Sequence, residues 1–484
     1  MSTVPSDVSS YAPIRPAHHD RSWVLVPIIG IGSLVMGVAA LVLPWQVAVG
    51  AMLAAVMLAA ILRSAYIGLV ASMAWLYVRP DEFVPGLHLL HMQKLMVLLV
   101  LAALFLNREK RTPLSRPAVL HTWALLAFFA VVGLSVVGAY WRGAALTTTE
   151  QVFRYVAFYL IALWLLNSVP RLSGYTWALI VASAWLAITT IKNYHAGMVV
   201  SSGDLERAAG TNVLFEDPND LAAALIMALP FAYFAIWATK RRMAKVAGLL
   251  LIGALAYAVM LTGSRGGTLS FAALVPILVL RSPKRGWAFL GALLLTATFW
   301  FSASPQYRER ILSIGQVVRS PEEDESVAVR RAAWAAGRQM FLDHPLIGAG
   351  AGNFEAAWAA LYSDDTTKPY WKNSHSVYYQ LAGELGLAGI VTWSLLIYAI
   401  FRDNRRLRRE LRRCGQASGY VFLMSHATDC ALVSLLVSGA FISILYHPLF
   451  FTVATVAACL RRLSLQTATA EEPAGEAICA VSAA

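Results

Sequence analysis

The chain has 484 residues, of which 58% are apolar and only 14% charged, with a mean hydropathy of +0.61. A soluble chain carries about 45–50% apolar and about 25% charged residues, so this one lacks the polar surface to cover a compact body in water, and a polytopic membrane protein is predicted. An excess of 39 Lys and Arg over 27 Asp and Glu gives a net charge of +12, which in a soluble protein would point to nucleic acid and here raises the question of where the charges lie.

Apolar runs near the length needed to cross about 30 Å of hydrocarbon fall at 24–43, 45–61, 65–78, 89–106, 119–140, 153–168, 174–192, 219–238, 245–262, 267–281, 286–301, 376–400, 429–446 and 448–462. Some are short, so twelve to fourteen spans are expected. The runs are continuous rather than alternating, and lipid admits only helices or closed barrels, so the fold class is all-α, a helical membrane bundle. The expected organisation is a cytoplasmic tail over 1–23, membrane helices over 24–301, a large periplasmic loop over 302–375, C-terminal membrane helices over 376–462 and a cytoplasmic tail over 463–484.

With the N-terminus inside and alternating spans, one side receives Arg15, Arg21, Arg63, Arg108 to Arg116, Arg171, Lys240 to Lys245, Arg281 to Arg285, the cluster Arg402 to Arg413, and Arg461 with Arg462. That side holds 24 of the 39 basic residues against 9 of the 27 acids, as the positive-inside rule requires. The surplus is therefore topological, and nucleic acid is not an expected partner. Residues 1–23 are polar and the first run has no small-residue cleavage site, so an uncleaved anchor is expected. Cys414, Cys430, Cys459 and Cys479 show no metal-ligand spacing, and a metal site at His88 and His91 is not expected among their apolar neighbours.

The opposite side has two long connections, 193–218 and 302–375. The longer one opens with the acidic Pro321-Glu-Glu-Asp-Glu325 and continues in a helical pattern from Val327 to Phe341, with Val327, Trp334 and Phe341 spaced by sevens and Arg330, Arg331 and Arg338 on other faces. This pattern fits an amphipathic helix lying on the membrane. The Gly348-Ala-Gly-Ala-Gly352 run follows no strand, which argues against a nucleotide loop and for a flexible turn.

Ionisable groups at membrane depth are costly and functional by default. Arg265 lies in the tight outer turn Leu261-Thr-Gly-Ser-Arg-Gly-Gly267, where a planar guanidinium presents donors matched to phosphate or carboxylate. Arg207 lies in Arg207-Ala-Ala-Gly210, ahead of Asp217-Pro-Asn-Asp220, which reads as the cap of the next span. His375 lies at the mouth of the span beginning near Ser376. Lys372, Arg154 and Glu384 are second-rank candidates. A snorkelling Arg265, a solvated Arg207 and a helix-entry His375 are the bland alternatives, and the prediction of all three on one face favours a site.

These residues carry a resemblance to the O-antigen ligase and O-antigen polymerase superfamily of bacterial inner-membrane glycosyltransferases. It runs through Arg207-Ala-Ala-Gly210 with Asp217-Pro-Asn-Asp220, Thr262-Gly-Ser-Arg-Gly-Gly267, Asp343-His-Pro-Leu-Ile-Gly348 with Gly350-Ala-Gly-Asn-Phe354, and Ser374-His-Ser376 with Leu381-Ala-Gly-Glu-Leu-Gly-Leu-Ala-Gly389. It covers about residues 200–400, and the family more often has His-Asn where this chain has His375-Ser376. The resemblance implies a GT-C-like bundle and metal-independent, cofactor-free, inverting transfer of a glycan from an undecaprenyl-pyrophosphate carrier to an acceptor hydroxyl, lipid A core or another glycan. It places the reaction on the periplasmic face of the inner membrane, with Arg207 and Arg265 on the pyrophosphate and His375 as general base. Repeat-unit polymerisation and protein O-glycosylation are the alternatives within the family, and a transporter or flippase is the alternative outside it.

Overall fold

The computed structural model describes residues 45–82, 87–107, 120–202, 205–313, 325–362 and 372–468. The tail 1–23, the first apolar run, the connection from Arg108 to Arg116, the acidic residues 321–324, the side chain of His88 and the C-terminal residues 469–484 lie outside this description. The chain forms two compact units, Met1–Arg63 and Ser64–Ala484. Helix α1 (Trp45–Arg63) belongs to the first.

The second unit contains α2 (Ala65–Val78), α3 (Met92–Asn107), α4 (Leu120–Ser135), α5 (Arg142–Leu165), α6 (Val169–His195), α7 (Pro218–Ala238), α8 (Arg242–Leu261), α9 (Arg265–Arg281), α10 (Arg285–Ser302), α11 (Pro305–Leu312), α12 (Glu325–Asp343), α13 (Phe354–Ala357), α14 (Val377–Arg413), α15 (Tyr420–Gly439) and α16 (Pro448–Ala468). The protein is all-α, and it is a polytopic membrane protein. A short antiparallel hairpin of β1 (Val200–Ser202) and β2 (Leu205–Arg207) interrupts the connection after α6, with Val200 opposite Arg207.

Continuous apolar sequence makes these helices, and it also makes their lipid face: Phe105, Met243 and Phe301 are about four-fifths exposed, which water would penalise and hydrocarbon does not. Helices α7 and α15 are the most enclosed of the long apolar helices and pack on each other at the centre of the bundle. Among the described residues, five helices (α6, α7, α8, α14, α15) are long and apolar enough to cross a membrane, six if α10 and α11, bent by 114°, count as one. The sequence expects twelve to fourteen; α2, α3 and α4 are apolar but shorter.

The run expected at 429–446 is displaced in the structure, because α15 begins at Tyr420. The polar His426 and Asp429 stand inside the helix, where Asp429 is buried and accepts from Arg281 and Arg408, both at 2.7 Å, and from Asn404 at 2.8 Å. Satisfied in this way, a carboxylate no longer marks a helix boundary.

Helix α12 also departs from expectation. It packs along α14 rather than presenting a Val327, Trp334, Phe341 stripe to lipid, and its buried face is Ala333, Ala336, Gly337 and Met340. These small residues allow close approach, and with Ala349, Phe354, Ala357 and Trp358 they form a separate small core. The glycine run after α12 is stitched to a break in α14. Gly386 adopts φ 59°, and the freed amides of Leu387 and Ala388 donate to Pro345 and Leu346 carbonyls at 2.8 and 3.0 Å.

Candidate functional site

The turn between α8 and α9 is built for close approach. Gly263 has φ 59°, and a side chain there would meet Leu205 at 2.8 Å and the Arg207 stem at 3.2 Å, so glycine lets the β hairpin lie directly on the turn. Ser264 caps α9 by accepting from the Gly267 amide at 3.0 Å, and its hydroxyl donates to Asn219 Oδ1 at 2.7 Å. Arg265 is thereby fixed as the first residue of α9. Its Nη2 donates to Ser313 Oγ at 3.3 Å, and Ser313 donates to the Arg310 carbonyl at 2.9 Å, which ties the turn to the end of α11.

Arg207 ends β2. Its Nε donates to the Thr262 carbonyl at 2.8 Å and its Nη2 to Asn219 Oδ1 at 3.1 Å, so Asn219 serves both the arginine and the Ser264 cap. Asp217 caps α7 by accepting from the Asn219 amide at 2.6 Å, with Pro218 as the first helical residue, the arrangement the Asp-Pro-Asn motif predicts. Burial, and then the crowding of Arg310, Arg330 and Arg265, pulls the Arg207 guanidinium down to about 10, with Asp217 opposing. It remains a cation at neutral pH.

His375 is held in the left-handed region at φ 50°, which is uncommon for a residue with a side chain and is found where a site over-determines the backbone. The constraint is Ser374, whose buried hydroxyl donates to the Ser376 carbonyl at 2.8 Å, accepts from the Ser376 amide at 3.3 Å and lies 2.8 Å from Ser443 Oγ. Ser376, in the place where the family more often has Asn, is buried and serves the turn through its backbone. Burial first, then Arg330 and Lys372, hold the His375 imidazole below the usual histidine range, with Asp217 opposing.

Arg330 and Asp217 thus act on both Arg207 and His375, and Arg265 joins through its effect on Arg207. Lys372 is exposed beside His375. Arg154 lies elsewhere: it donates to Glu150 at 3.2 Å, Glu150 pairs with Lys94 at 2.9 Å, and Arg154 lines an apolar cleft with Trp75, Gln93 and Phe158. Glu384 is 1% exposed and accepts from the Gly352 and Phe354 amides at 2.9 and 3.1 Å, so it anchors the glycine run. Arg310, Arg330 and Asn219 had not stood out as site residues. Arg330 was visible as a basic position on the α12 pattern, and nothing local distinguished it from Arg331.

Residues 250–394 match the family model described as O-antigen ligase. This segment is similar to the O-antigen ligase family. The matched segment runs from within α8 to within α14, and it includes Arg265, Arg310, Arg330, Lys372, His375 and Glu384, while Arg154, Arg207 and Asp217 precede it. No curated protein matches the chain. The match supports an O-antigen ligase-like, glycosyltransferase-like activity in a membrane protein, and the family implies a lipid-linked glycan and a glycan acceptor as partners in general.

Proposed function

We propose that this protein transfers a glycan from an undecaprenyl-pyrophosphate carrier to a hydroxyl of lipid A core or a related glycan acceptor, at the periplasmic face of the bacterial inner membrane. The observation that carries this reading is the sharing of Asp217 and Arg330 by a half-buried arginine and a histidine kept neutral. An anion-binding group and a general base are the two things the reaction needs.

In the proposed step the acceptor oxygen attacks the anomeric carbon while His375 takes its proton. The bond from that carbon to the phosphate oxygen breaks, and its electron pair leaves on the pyrophosphate. Arg207 and Arg265 neutralise that charge with forked, charge-assisted donors, in place of a metal ion. Single displacement inverts the anomeric configuration. The positive end of α9, at Arg265, adds to the field that receives the leaving group.

The test is His375→Ala in a cell that displays the polymer. Transfer is expected to fall by about 10²–10⁴-fold with normal membrane insertion. Surface glycan of normal amount and length would show that His375 is not the base. Arg265→Ala is expected to lose more activity than Arg265→Lys, because lysine keeps the charge and loses the fork; full activity in both removes Arg265 from the donor site.

A further inference from the structure

The outer connection contributes two arginines to this site, and packing separates their roles. Helix α12 runs parallel to the first turns of α14. Trp334 stacks on Tyr379 with ring centroids 5.3 Å apart and planes 7° apart. Further along, a side chain at Gly383 would meet the Gly337 carbonyl oxygen and Met340 Sδ, both at 3.3 Å. Counting back one helical turn from Trp334 reaches Arg330, and His375 lies two residues before Val377, the first residue of α14, so both stand at the same end of the packed pair. Arg330 shares the buried face of Ala333, Gly337 and Met340 and is half-buried, whereas Arg331 and Arg338 are exposed. Arg310 crowds Arg207 and not His375, and its backbone carbonyl is joined to Arg265 through Ser313.

Three arginines, Arg207, Arg265 and Arg310, therefore cluster where the donor's two phosphates are placed, and one, Arg330, stands beside the base. On the reading of the site given above, we propose that Arg330 binds an anionic group, a phosphate or a carboxylate, carried by the acceptor close to the hydroxyl that is glycosylated, and so selects acidic acceptors. A group held by Arg330 while its neighbouring hydroxyl meets His375 must lie within about one sugar ring of that hydroxyl. A forked guanidinium suits either anion.

The experiment uses the full chain in lipid nanodiscs, with extracted undecaprenyl-pyrophosphate-linked glycan as donor. The acceptor is core lipid A, untreated, phosphatase-treated or carboxyl-reduced, and the last two arms separate phosphate from carboxylate. Wild type is expected to use the untreated acceptor about tenfold better in kcat/KM than at least one treated form, the scale of one charged hydrogen-bonded contact. Arg330→Gln is expected to raise the KM of the untreated acceptor about tenfold and to change kcat/KM for the treated acceptor by a smaller factor, so that the preference for the untreated form is lost. Arg330→Lys is expected to recover part of the loss, and Arg331→Gln to behave as wild type. The proposal is overturned if Arg330→Gln raises the donor KM instead, or if wild type uses all acceptors equally. That second comparison needs no variant and stands even if Arg330→Gln does not fold. No transfer by wild type to any acceptor overturns the glycan-transfer reading itself, and this proposal with it.

Discussion

As the proposed base, His375 can act only while its imidazole is neutral, and the groups around it set the pH at which that holds. Burial, Arg330 and Lys372 disfavour the imidazolium, and Asp217 favours it. The acid limb of kcat/KM against pH is therefore expected below about 6.5, the ordinary histidine value. Removing the carboxylate in Asp217→Asn moves the limb to still lower pH, and Asn keeps the α7 cap. Removing the cation in Arg330→Gln moves it upward. Shifts of the same sign in both variants, read from pH–rate profiles, would detach these charges from the base. At the same scale, Glu384→Ala is expected to lower unfolding stability by about 3 kcal/mol, because two buried amides lose their carboxyl acceptor. Thermal unfolding in detergent measures this, and Glu384→Gln, which keeps one acceptor oxygen, is expected to lose less. The sequence marked Arg207, Arg265 and His375 because each is a polar residue in a conspicuous local setting. It also marked Glu384 for its apolar surroundings, and only the two amides it bonds reveal what it holds.

At the scale of elements, the glycines of Leu381 to Gly389 and the Gly348 to Gly352 run form one joint. A methyl at Gly386 would sit 2.7 Å from the Leu346 carbonyl carbon, at φ 59° and ψ −154°, a region essentially reserved for glycine that costs a side chain about 1–3 kcal/mol before any clash. Gly386→Ala is expected to lower the thermal transition and to reduce transfer, because the same joint seats α12 beside His375. An unchanged transition temperature would mean that the break is not under this constraint. The helical pattern of α12 was legible from its sequence. Its buried face was not, because alanine and glycine contribute little to an apolar stripe yet decide which side can approach another helix.

Across the whole molecule, the end of the bundle away from the Gly-rich turn is held by ionic contacts, Asp429 with Arg281 and Arg408, Asp403 with Arg402, and Glu410 with Arg461, and by a hydrogen bond between Asp403 and His121. Asp429→Ala strands two guanidiniums and is expected to cost about 3–5 kcal/mol. It should reduce the amount of inserted, folded protein while leaving the acceptor KM of the surviving fraction unchanged. A changed KM would show that the two ends communicate. Most helices of the bundle were readable in advance, since the transfer of continuous apolar sequence into lipid is a local property of each run. Fold class follows from that alone.

Tertiary structure decided the rest. Whether Asp429 ends a helix or sits inside one depends on arginines from two other helices. Whether Arg330 or Arg331 faces His375 depends on the register between α12 and α14. Burial is legible in sequence because water acts on each residue separately, whereas a pairing of charges exists only once packing has brought distant residues together.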